Sequence, residues 1–100
     1  MSVRHCVLGA FTAEATEEQK RAMLDNVRSM PEKIKEIKQI VCGLDLGLAE
    51  GNHDFAITVD FACEDDYQIY ATHAAHKEVI ANYIKPILKP GSRVAVQYKL

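Results

Sequence analysis

The sequence has no stretch of about 18 uncharged apolar residues, so it offers no transmembrane helix. It has no basic run followed by an apolar segment behind Met1-Ser2-Val3-Arg4-His5, so no secretory leader is visible and the expected compartment is cytoplasmic. Cysteine is scarce and odd in number: Cys6, Cys42 and Cys63 lack any CxxC spacing and sit among apolar or strand-forming neighbours. They read as buried thiols acting as small hydrophobes, not as a disulfide framework. Basic charge is also in short supply. Twelve Lys and Arg face fourteen Asp and Glu, and the basic excess after residue 66 rests on the sparse set Lys85, Lys89, Arg93 and Lys99, too thin a stripe for a nucleic-acid partner. Gly-Leu-Asp-Leu-Gly at 43–47 lacks the Lys-Ser/Thr of a phosphate loop, and no Ser stands in a GxSxG elbow. Low-complexity tracts, linkers and repeats are absent as well.

What remains is one domain over residues 1–100, with 48% apolar residues and room for one modest core. Residues 3–11 read as a strand. Thr16-Glu17-Glu18-Gln19 fits a capping box that opens a helix, with Met23, Val27, Met30, Ile34 and Ile37 at helical spacing and Pro31 interrupting. Pro31 either ends that helix near Ser29 or opens a short second piece. Residues 37–48 form a second strand, with Gly43 and Gly47 as bulges or points of close approach. After a turn at Glu50-Gly51-Asn52, Phe55, Ile57, Val59 and Phe61 alternate with polar or small residues, the clearest strand signal in the chain. Glu64-Asp65-Asp66 suits the first turn of a short helix through Tyr70. A longer helix spans 74–88, its last turn loosened by Pro86, and Pro90-Gly91 leads into a final strand at 93–98.

The order βαββαβ predicts a ferredoxin-like α+β fold: one four-stranded antiparallel sheet with helices on one face. Val3, His5, Val7, Gly9 and Phe11 share one face of the first strand; Arg4, Cys6, Leu8 and Ala10 share the other. Ile40, Cys42, Leu44 and Leu46 likewise oppose Val41 and Gly43. Both faces are too apolar for either to sit in water, so the uncovered face is expected to meet a second copy, giving a homodimer. An open sheet with scattered exposed apolar side chains is the alternative.

The chemistry-bearing residues are histidines. Tyr70-Ala-Thr-His73-Ala-Ala-His76 falls where the short helix gives way to the long one. His76 lies in a first helical turn, whose partial positive charge favours the neutral imidazole, and a neutral imidazole can accept a proton. Tyr70 could orient it, or pass it a proton. His5 lies on the helix-covered face, where a titratable group needs a partner, and Gly9 on that face spares volume for a pocket. Against this, a lone His on an apolar face is usually a hydrogen-bonded core residue. A metal set from His73, His76 and either His5 or His53 has only Glu78 near enough to complete it, and no metal site is predicted. His53 reads as a loop residue; Tyr67 and Tyr83 read as packing aromatics.

Four segments resemble the stress-responsive A/B barrel (Dabb) domain family: Val3-Arg4-His5-Cys6-Val7-Leu8 with Phe11, Val41-Cys42-Gly43-Leu44-Asp45, Val59-Asp60-Phe61, and the Tyr70-x-x-His73-x-x-His76 run. The resemblance extends over essentially the whole chain. It implies a dimeric α+β barrel. Many members are known as stress-induced proteins, and one plant member closes a linear polyketide by an intramolecular aldol reaction, without metal or cofactor, using a Tyr–His pair. Its matching positions here are Tyr70 and His76, with His5 as a further pocket histidine and His73 as a neighbour. A second strand histidine of that enzyme falls on Phe55, with His53 two residues earlier on the same face. The resemblance therefore implies acid–base work by His76, Tyr70 and His5 in a pocket bordered by His73, Phe55 and Gly9, on a small carbonyl-bearing or polyketide-like compound. The alternative is a non-enzymatic stress or small-molecule-binding protein in which the same histidines are structural.

Overall fold

The computed structural model describes all 100 residues. Its elements run β1 (Val3–Gly9), α1 (Glu17–Ser29), β2 (Ile37–Leu44), β3 (Phe55–Phe61), α2 (Glu64–Thr72), α3 (Ala74–Val79) and β4 (Val94–Lys99). The sheet is wholly antiparallel in the order β2-β3-β1-β4, which is the ferredoxin-like arrangement expected from the chain. Local chemistry sets the ends of α1. The Gln19 amide donates to Thr16 Oγ1 at 3.1 Å while the Thr16 amide donates back to Gln19 Oε1 at 2.9 Å. Both readings of Pro31 hold together: α1 stops at Ser29, and Met30–Glu32 makes a separate 3₁₀ turn with the proline at its start.

Register fixes the two faces of the sheet. Val3, His5, Val7 and Gly9 stand opposite Phe61, Val59, Ile57 and Phe55, and all lie under the helices. There they pack with Met23, Val27 and Met30 from the α1 side and Tyr70 from α2. The other face carries Leu8, Val41, Val94, Val96 and Tyr98, all exposed, around a bidentate cross-strand pair in which Arg4 donates to Asp60 at 2.8 and 2.9 Å. No helix covers that face.

Three boundaries differ from the sequence reading. The first strand stops at Gly9, and Phe11 returns only as an isolated bridge to Leu88. The second strand stops at Leu44, not Leu48, because the Asp45 carboxylate accepts from the Gly47 amide at 2.9 Å and bends the chain into a turn with Gly47 at φ +76°. The bulge falls between Ile37 and Gln39, not at either glycine. The helix expected over 74–88 divides into α3, a π turn (Ile80–Ile84) and a 3₁₀ turn (Lys85–Ile87). Pro86 has no amide to continue an α ladder, and the Lys85 amide instead reaches back five residues to the Ile80 carbonyl. The cysteines are less buried than expected: Cys6 and Cys42 are half-buried, and Cys63, just ahead of α2, is exposed.

Candidate functional site

A cavity of about 330 Å³ lies between the helix-covered face of the sheet and the α3–π–3₁₀ segment. His5 and Val7 of β1, Phe55 and Ile57 of β3, Tyr70, His76, Ile80 and Ile84 line it, and Arg93 and Lys85 also border it. It is mostly apolar, with a few polar groups converging, the composition of a small-molecule site.

The bend between α2 and α3 builds the polar end. In one unbroken helix Tyr70 and His76, six residues apart, would project about 120° apart around the axis. His73 instead takes an extended conformation (φ −67°, ψ 136°) and its Nδ1 accepts from the Ala75 amide at 3.0 Å, capping α3. The bend folds the Tyr70 and His76 rings against each other, with centroids 4.1 Å apart and planes 30° apart. His76 Nδ1 lies 3.3 Å from the Ala71 carbonyl, which can only accept, so Nδ1 carries the proton and Nε2 keeps a free lone pair.

His5 has the opposite polarity. The Gln97 side-chain amide, across the β1–β4 ladder, donates to His5 Nδ1 at 2.8 Å, so the His5 proton sits on Nε2. Its ring is 3% exposed and packs against Tyr67 and Tyr70, with centroids at 5.2 and 6.0 Å. Burial, then the charges of Arg93 and His76, lowers the His5 pKa to about 4. Burial, then Arg93 and His73, also lowers that of His76, against the opposing pull of the Ala71 carbonyl. Burial and neighbouring Tyr67 push the Tyr70 phenol upward, with Arg93 opposing. At neutral pH the site therefore holds two neutral imidazoles and a neutral phenol. Tyr70 stands as a neutral phenol with its ring against that of His76.

The other sequence candidates divide. Phe55 forms a cavity wall, stacked on Phe11 with centroids 5.1 Å apart. Gly9 spares space, but that space is filled by the wall: a Cβ there would lie 2.6 Å from Phe55 Cζ and 2.9 Å from Leu88 Cδ1. His73 borders the bend and not the cavity, its ring nitrogen spent on the helix cap. His53 stands away from the cavity, on an open depression at the β2–β3 turn. No three His, Cys, Asp or Glu side chains gather as a metal site would require.

With this geometry in view, the profile of the Stress responsive A/B Barrel Domain matches residues 3–100. The chain belongs to that family. A solved relative of the barrel family's fold, a dimeric ferredoxin-like protein of unknown function from Thermobifida fusca YX, is 37% identical over 100% of this chain and 92% of its own, with a TM-score of 0.89. A dimeric protein of unknown function and ferredoxin-like fold from Bacteroides fragilis is 26% identical, covering 99% of this chain and 96% of its own, with a TM-score of 0.79. The hydroxynitrile lyase from Passiflora edulis shares the fold, with a TM-score of 0.85 at 16% identity over 99% of this chain and 93% of its own. No curated protein sequence matches this barrel chain. No helix in it is long and apolar enough to cross a membrane.

Three residues at the site escaped the sequence reading. Gln97 was only one polar position in an alternating strand, and nothing short of the β1–β4 register places it on His5. Arg93 and Lys85 read as scattered surface charge until the fold brings them to one cavity.

Proposed function

We propose that this barrel protein is a cytosolic homodimer whose cavity performs acid–base chemistry, by its own side chains, on a small carbonyl-bearing compound. The observation that carries the reading is the pairing of two neutral imidazoles of opposite polarity at one apolar cavity: His76 with a free Nε2 lone pair, His5 with an Nε2–H. A substrate carbonyl accepting from His5 Nε2–H is polarised. His76 Nε2 takes the proton from the neighbouring carbon, the C–H pair becomes the C=C of an enolate, and the carbonyl π pair moves onto the oxygen that His5 holds. The enolate can then form a carbon–carbon bond to a second carbonyl, as in an aldol-type cyclisation, or the same groups can run a lyase step in reverse. Tyr70 packs on the His76 ring and fixes its plane.

The dimer reading is supported by the uncovered apolar face, where Val96 is 55% and Val41 54% exposed in one chain, and by the dimeric descriptions of the Thermobifida and Bacteroides proteins. Two such faces stacked together would close a barrel.

The test is deuterium exchange at the benzylic carbon of phenylacetone in D₂O, followed by proton NMR. Exchange faster than in buffer, and lost in His76→Gln, supports the reading. Binding of the ketone without accelerated exchange would make the cavity a receptor, as in a stress-related binding protein.

A further inference from the structure

The cavity has charge of one sign only. Its lining holds no Asp or Glu, but it does hold Arg93 and Lys85, both exposed. The ion pairs of the chain are Arg4–Asp60, Lys20–Glu17, Arg28–Asp25 and Lys99–Glu64, and neither cavity cation takes part in one. Arg93 lines the same cavity as His5, Tyr70 and His76, and its charge opposes protonation of both imidazoles. Lys85 comes to the same rim because the π turn ends there, its amide bonded to the Ile80 carbonyl. Behind these cations the walls are aliphatic and aromatic: Val7, Phe55, Ile57 and Ile80. An uncharged apolar ligand would have no use for two unpaired cations, and a polyanion would find no further cation inside.

We propose that the cavity takes a monoanionic amphiphile, a small apolar body ending in a carboxylate that Arg93 and Lys85 bind at the rim. Arg93 offers the planar fork that matches a carboxylate, and Lys85 adds a point charge. The ligand's apolar body reaches inward past His5 and His76. This names the substrate class of the acid–base reading above and rests on that reading only for the reaction, not for the binding.

The experiment is a calorimetric and NMR titration of the protein with 3-phenylpropanoate and with its uncharged counterpart 3-phenylpropanamide. The acid is expected to bind at least about tenfold more tightly, since hydrogen bonds to a charged group add that much. It should shift the His5 and His76 ring signals, and its advantage should shrink with added salt because both cations face solvent. Arg93→Gln should remove most of the preference and Lys85→Gln a smaller part, with acid binding weakened in both by more than amide binding. Equal affinity for acid and amide, no binding of the acid, or a preference that survives both substitutions overturns the proposal. If phenylacetone exchange is absent while the acid preference holds, the acid–base reading falls and the carboxylate site stands; exchange without acid preference is the reverse case.

Discussion

The rings of Tyr70 and His76 lie 4.1 Å apart because the chain bends at His73, the residue between them in the Tyr-x-x-His-x-x-His run. Three residues of one short motif thus do three different things: Tyr70 packs, His73 caps, and His76 lines the cavity. Removing the Tyr70 hydroxyl leaves the packing in place, whereas removing the ring opens a hole beside the core. Tyr70→Phe is expected to stay within about 1 kcal/mol of the parent in urea denaturation, and Tyr70→Ala to lose about 3–5 kcal/mol.

His5 links stability to pH. Its folded pKa of about 4 lies below the ordinary 6.5, so the unfolded chain binds the extra proton first as pH falls. Stability is complete above about 6.5 and declines down to about 4, by on the order of 2–3 kcal/mol from this group. Denaturation at pH 7.5 and 4.5 should show the decline in the parent and a smaller one in His5→Gln. Equal declines would mean that His5 is not held neutral.

Gln97 sets which His5 nitrogen carries the proton. In Gln97→Glu the carboxylate can only accept, so the proton moves to Nδ1 and the pKa of His5 rises above its value in the parent. Nitrogen-15 spectra of the ring should report Nε2–H in the parent and Nδ1–H in the variant at neutral pH.

Gly9 controls cavity shape through Phe55. Gly9→Ala puts a Cβ within 2.8 Å of Phe55 Cε2 as well as the contacts already described, and Phe55 is buried, with its ring stacked on Phe11. The ring must shift, at a cost of about 1–3 kcal/mol. Thermal melts should show that loss, with weaker binding of 3-phenylpropanoate as the displaced wall enters the cavity.

The uncovered sheet face is tested by charge. Val96→Asp places a carboxylate in the middle of the proposed interface and is expected to give a monomer in sedimentation velocity at micromolar concentration, where the parent sediments as a dimer. A monomeric parent would contradict the dimer reading.

Much of the fold was legible because its signals are local. The Thr16–Gln19 box, the alternation of Phe55 to Phe61 and the His5 face of β1 need no distant partner to be read. Boundaries were less legible where side chains or backbone intervene: Asp45 ends β2 early, and Pro86 turns the last part of the long helix into π and 3₁₀ windings. His5, Tyr70, His76 and Phe55 were found from sequence, and the fold brings them to one cavity. Gln97, Arg93 and Lys85 were not, since their parts depend on strand register and on how the chain after α3 closes over the sheet. Gly9 was read as spare volume, when the volume belongs to the Phe55 ring.

The most direct test of the acid–base account is the pH dependence of phenylacetone deuterium exchange in the parent and in His76→Gln. The account predicts a rate that rises with pH through an apparent pKa below 6.5, levels off by neutrality, and falls about 10²–10⁴-fold in the variant. A rate that climbs with hydroxide across the whole range without levelling, or that His76→Gln leaves unchanged, would contradict it.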